Sequence, residues 1–259
     1  LSAADTAAGR QVFLRWVEEI KTAGYHHPEP VDLLNDPALL TTEQVRWAGN
    51  NYFAAGMRNL TLMALALAEA DDPGGALRAA LGTATGAHLY LYDHLLSTDA
   101  RGGFAPEGFE YGPQTLAYGA QTLWALETAG QDDPAAWGGQ VCWADQPFWN
   151  DLIPAYLNSL SPATAFVPGA EWIGPVYLPA WYGDGQHYWA PDLIAAFGPL
   201  ALHHRAAGAA AEDEALRWIQ RNVPAGGDAA LLNRIEDAQS FSEAIFYFLL
   251  FDPSSAAPP

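Results

Sequence analysis

Residues 53–70 read FAAGMRNLTLMALALAEA. A stretch so rich in Ala, Leu and Met, with no polar–apolar alternation, is a helix rather than a strand. With Thr42 as N-cap, the spacing predicts one helix over 42–70, stopped by DDPGG. The same pattern predicts helices over 6–21, 76–97, 114–130, 148–159, 190–208, 211–222 and 238–251. On the first of these, Val12, Phe13, Trp16, Val17 and Ile20 share a stripe. Gly130 stands just past the end of 114–130, the usual place for a residue that leaves a helix. Two-residue alternation is absent throughout, so the chain is expected to be all-α.

The tripeptide DDP recurs at 71–73 and 132–134, each time after a helix of similar apolar character. This points to a loosely repeated helical hairpin. Antiparallel helical hairpins with long aromatic loops collected on one side fit an α/α toroid, an incomplete α/α barrel. A plain bundle has shorter connections. Residues 1–251 carry no internal linker and are expected to form one toroid domain. The tail 252–259, DPSSAAPP, reads as a linker to a further domain beyond residue 259.

Thirty acidic residues against 11 basic ones give a formal charge of −19. That charge counts against nucleic acid and anionic membranes as partners, and less strongly against an acidic polysaccharide. No apolar run reaches the length of a membrane span. The opening LSAADTAAGR lacks the pattern of a signal peptide. The single Cys142 cannot form an internal disulfide and is expected to be an inert, buried thiol. His26 and His27, like His203 and His204, are adjacent pairs without zinc-ligand spacing, so neither a metal nor another cofactor is expected.

Three polar sets are embedded among aromatics. WAGNNYFAAGMRN (47–59) holds Asn50, Asn51, Tyr52 and Arg58; Asn51 and Arg58 are seven residues apart and share a helix face. An amide and a guanidinium there can neutralise a carboxylate; equally, the Asn pair can satisfy a helix end while Arg58 sits in a surface ion pair. GGFAPEGFEYGP (102–113) reads as a turn shaped by four glycines and two prolines, with Glu107, Glu110 and Tyr111 in it. Either Glu107 and Tyr111 face a ligand, or Glu107 caps the next helix and Tyr111 packs. GPVYLPAWYGDGQHYW (174–189) contributes Tyr177, Trp181, Tyr182, Asp184, His187 and Tyr188. Aromatic planes interleaved with polar groups are suited to sugar rings, although aromatics also build cores.

GGFAPEGFEYGPQTLAYGAQTLWALETAG resembles the heparinase II/III group of polysaccharide lyases and the alginate lyases related to them. NNYFAAGMRNLTLMALAL is similar to the Asn-containing helix of that group, and GPVYLPAWYGDGQHY to its Gly-Asp segment; the three follow in the same order over roughly residues 40 to 205. The resemblance implies a secreted or periplasmic glycan lyase. Its α/α toroid would be followed by β-sandwich domains, absent from this chain. Such enzymes break uronic-acid-containing glycans by β-elimination. The resemblance implies Tyr111 as the catalytic tyrosine and Asn51 as the group that neutralises the carboxylate. Glu107 is implied to shape the loop.

Tyr52 stands where related lyases often carry His. A tyrosine needs a strongly lowered pKa to act as a base at neutral pH, whereas a histidine needs almost no shift. His187 or His88 is a candidate for the missing imidazole. Asn50, Arg58, Glu107, Glu110, Trp181, Tyr182, Asp184 and Tyr188 are candidate substrate-binding residues. Two further functions fit the sequence. A toroid glycoside hydrolase would pair Glu107 or Glu110 with Asp184, one carboxyl protonated and one ionised. A glycan-binding toroid without catalysis would account for Tyr52.

Overall fold

The computed structural model describes residues 1–22, 36–166, 175, 177–180, 183, 190–208 and 249, with backbone alone at 20–22, 109–110 and 190–196. The expected helices 211–222 and 238–251 lie outside these residues apart from Leu249, which is helical. The tail 252–259 lies outside them entirely.

The protein is all-α. The described helices are α1 (Ala3–Thr22), α2 (Thr42–Ala48), α3 (Asn51–Leu65), α4 (Ala76–Ala80), α5 (Gly86–Ser97), α6 (Gly108–Thr128), α7 (Pro134–Trp137), α8 (Pro147–Ser159) and α9 (Ala190–Ala207). A π-helical turn, Leu81–Thr85, joins α4 to α5. An antiparallel bridge joins Leu160 and Pro179. No helix among the described residues is long and apolar enough to cross a membrane.

The chain divides into two compact units. The first comprises Leu1–Arg101 and Thr122–Gln146, the second Gly102–Gln121 and Pro147–Pro259. In the first unit, α3 packs on α4 and the π turn, close to their connection, and α2 packs on α5 at the far end. This nested pairing is that of an antiparallel hairpin. Its core is Phe53, Met57, Leu60, Leu77, Leu89, Leu91 and Leu95, each at most 3% exposed.

The predicted helix 42–70 is two helices. α2 closes at Gly49, φ −85°, where a Cβ would stand 2.6 Å from Leu95 Cδ2. Asn50 then starts α3, its Oδ1 accepting from the N–H groups of Tyr52 and Phe53 at 3.0 and 3.4 Å. The cap of α2 is Thr41, one residue before the expected Thr42; its hydroxyl accepts from Gln44 N–H at 3.2 Å. On α1 the inward face runs through Thr6, Arg10, Phe13 and Val17, and Val12 lies outside it, 50% exposed. Arg10 is tolerated there because it meets Asp72 at 3.1 Å.

Asp72 also accepts from Leu77 N–H at 3.0 Å, and Asp133 of the second DDP accepts from Ala135 N–H at 2.9 Å. In both copies the second aspartate satisfies a following helix start. α6 ends as expected: Gly130 adopts φ +62°, and Gln131 N–H returns to Leu126 C=O at 2.8 Å. In the second unit Phe148, Trp149, Leu152, Ile153 and Tyr156 of α8 are buried, with Phe197, Leu200 and Ala201 of α9. Tyr156 meets Phe197 edge-on at 5.3 Å.

Candidate functional site

The stretch 102–113 is a short strap followed by a helix. The strap turns where Gly102, Gly103 and Gly108 take φ of +95°, +90° and +79°, a region costly for residues with a Cβ. α6 then begins at Gly108, five residues before the end of the expected turn and six before the expected helix start at residue 114. Pro113 therefore lies inside α6, where its ring removes one backbone hydrogen bond. Glu110 and Tyr111 consequently stand on the first turn of a helix rather than in a loop.

Small residues hold the strap down. A Cβ on Gly103 would stand 2.6 Å from the carbonyl of Asp151 on α8, and one on Gly112 would stand 2.9 Å from the Cβ of Ala105. Glu107 immediately precedes the first residue of α6. Its Oε2 accepts from the Thr115 hydroxyl at 3.2 Å, and the same hydroxyl lies 3.2 Å from Tyr111 C=O. Tyr111 does not pack away; it is 37% exposed. The side chain of Glu110 lies outside the described residues.

Among the described residues, the third polar set meets the second at Gly183. Gly183, at φ +63°, approaches so closely that a Cβ would stand 2.7 Å from Gly108 N and Cα and 3.1 Å from the Glu107 carbonyl carbon. Two segments more than seventy residues apart in sequence thus touch backbone to backbone within the second unit. Tyr177 is half-buried beside the short bridge, where Ser161 N–H donates to Leu178 C=O and Ala180 N–H to Ser159 C=O, each at 2.7 Å. Trp181, Tyr182, Asp184, His187 and Tyr188 lie outside the described residues.

The first polar set belongs to the first unit. Asn50 is the N-cap of α3, the helix-end role open to it from sequence. Asn51 Oδ1 also accepts from Tyr52 N–H, at 3.0 Å. Tyr52 projects outward, 63% exposed. The Arg58 guanidinium donates through Nε to Asn59 Oδ1 at 2.9 Å.

His88 is not an imidazole that a substrate reaches. It is 1% exposed, edge-on to Phe53 at 4.9 Å and stacked on Tyr92 at 5.5 Å, and its Nε2–H donates to Ala48 C=O at 3.1 Å. Burial lowers its pKa to about 4, partly opposed by that hydrogen bond, so the ring is neutral. Nearby, Gln146 donates to Asp93 Oδ1 at 2.7 Å, while burial raises the Asp93 pKa. Burial, then the Asp145 charge, raises the Cys142 thiol as well, which disfavours the reactive thiolate. Among the described residues no group of three or more His, Cys, Asp or Glu side chains is placed to hold a metal ion.

From sequence the glycines of 102–113 shaped a turn; their second role, close backbone approach, was not read. Gly103, Gly108, Gly112 and Gly183 mark the close approaches that build this face. Compared with known proteins, the chain matches no protein-family model, no curated protein and no solved structure.

Proposed function

We propose that the chain is the α/α-toroid part of a secreted or periplasmic polysaccharide lyase. It would cut a uronic-acid-containing glycan by β-elimination, with Tyr111 at the reacting bond. The observation that carries this reading is the seating of Gly183 on Glu107 and Gly108. It joins two of the three segments that resemble the lyase group, and Tyr111 stands exposed one helical turn further on. The antiparallel hairpin of α2–α3 with α4–α5 supports the toroid.

In such a reaction a base takes the proton from the carbon next to the uronate carboxylate. That C–H electron pair becomes a double bond as the glycosidic C–O bond breaks, and a donor protonates the departing oxygen. No water is consumed. Tyrosine ordinarily holds its proton at neutral pH, so donation to the leaving oxygen is the role that asks least of Tyr111. Glu107, steadied by the Thr115 hydroxyl, accepts from sugar hydroxyls.

His187 is the candidate base, with Trp181, Tyr182, Asp184 and Tyr188 as candidate binding groups. For Asn51, with Oδ1 engaged by Tyr52 N–H, the amide Nδ2–H groups are the donors it offers a carboxylate. Asn51, Tyr52 and Arg58 are tested by separate substitution in the same assay. Incubation with alginate, polygalacturonate, hyaluronan and heparan sulfate should raise ultraviolet absorbance from unsaturated uronate ends, and Tyr111→Phe should abolish it. No absorbance change on any of the four polymers would overturn the proposal.

A further inference from the structure

The strap at residues 102–107 reverses the ordinary hydrophobic pattern. Its inward positions are the small ones: Gly103, Ala105 and, where α6 begins, Gly108 are buried. Its large apolar side chains point outward: Phe104 is 40% exposed, and Pro106 is exposed as well. A single exposed apolar residue calls for no explanation. Here the outward rings accompany a backbone fixed by contacts that exclude even a methyl group. Gly103 lies on Asp151 and Leu152, and Gly112 lies on Ala105. Phe104 and Tyr111 each immediately precede, in sequence, one member of the touching pair Ala105 and Gly112, and Glu107 lies between them in sequence.

We propose that Phe104 is the platform of a sugar-binding subsite. Its ring takes the apolar face of a pyranose while the Glu107 carboxylate accepts from that sugar's hydroxyls. An aromatic shelf and an acceptor three residues apart on one strap match what a sugar ring requires, because its faces carry C–H groups and its edge carries O–H groups. The subsite rests on the glycan reading above but not on elimination chemistry, since a bound ring need not be cut.

The test is migration of the full chain through native gels containing alginate, polygalacturonate, hyaluronan, xylan or galactomannan. At least one polymer should retard the wild-type protein. Phe104→Ala should weaken that retardation by about tenfold, the scale of one aromatic contact. Phe104→Leu, which keeps apolar bulk without a ring face, should lose nearly as much, and Phe104→Trp should retain it. Phe166→Ala, altering another exposed phenylalanine (58%), should leave it unchanged. Circular dichroism checks that each variant keeps its helices.

Retardation unaffected by Phe104→Ala and Phe104→Leu, or no retardation by any polymer, overturns the subsite. Product assays on the same samples separate the two proposals. Retardation that depends on Phe104 without any unsaturated product removes the lyase and keeps the subsite. Unsaturated product with retardation indifferent to Phe104 does the reverse.

Discussion

Acidification is expected to weaken the first unit through His88. The ring lies among Phe53, Tyr92 and the Ala48 carbonyl, and burial holds its pKa at about 4 against an ordinary 6.5. In the unfolded chain the imidazole takes up a proton as the pH falls through 6.5; in the folded chain it resists until about 4. The unfolded state therefore binds more protons across that window. The stability given by the neutral ring is whole above 6.5, falls as pH drops toward 4, and is lost below. At about 1.36 kcal/mol per pH unit, the full window is worth about 3 kcal/mol, of which about 2.5 is gone by about pH 4.5.

Many carboxylates titrate in the same range, so the informative quantity is a difference of differences. Urea unfolding followed by helical circular dichroism is measured at about pH 7.5 and about pH 4.5, for wild type and for His88→Gln. Gln keeps an N–H donor within reach of Ala48 C=O and cannot take the proton. Wild type should lose about 2.5 kcal/mol more than the variant. Equal losses in both proteins would refute the reasoning.

Gly103→Ala should cost roughly 2 kcal/mol or more in urea unfolding, because it combines a left-handed φ with a clash against the Asp151 backbone. Gly49→Ala should cost less, since its clash is with the movable end of Leu95. Asp72→Ala strands Arg10 and leaves the Leu77 and Arg78 N–H groups without their carboxylate, so unfolding should show a loss of about 3 kcal/mol. Tyr111 is partly exposed, so Tyr111→Phe should leave the unfolding free energy in urea within about 0.5 kcal/mol of wild type while abolishing the unsaturated product.

The helices were legible because Ala- and Leu-rich periodicity and glycine or proline stops are local properties. Gly130 was identified as a terminator on that basis and takes that role. The break at Gly49 was missed although Asn50, which caps the next helix, was read as able to satisfy a helix end; the close approach of Leu95, nearly fifty residues away in sequence, was not legible. Pro113 read as part of the turn before residue 114, yet it lies inside α6. Val12 read as part of the stripe with Trp16 and is exposed, whereas Arg10 is held inward by Asp72, a partner distant in sequence.

At the site, the residue types were legible and their meeting was not. Glu107, Tyr111 and the Gly-Asp segment stood out individually by their aromatic and glycine-rich surroundings. That Gly183 lies on Glu107 and Gly108 follows from tertiary packing alone. His88, a candidate base by residue type, is excluded from that role by its burial, which no local pattern announces.

The most direct test of the central claim is the mass of oligosaccharides released from a defined uronate polymer. Elimination requires each new non-reducing end to be lighter by one water than the corresponding hydrolysis product, and requires these products to vanish in Tyr111→Phe. Products carrying the added water would identify a hydrolase, and products unchanged in Tyr111→Phe would remove Tyr111 from the reaction. Either result would contradict the account.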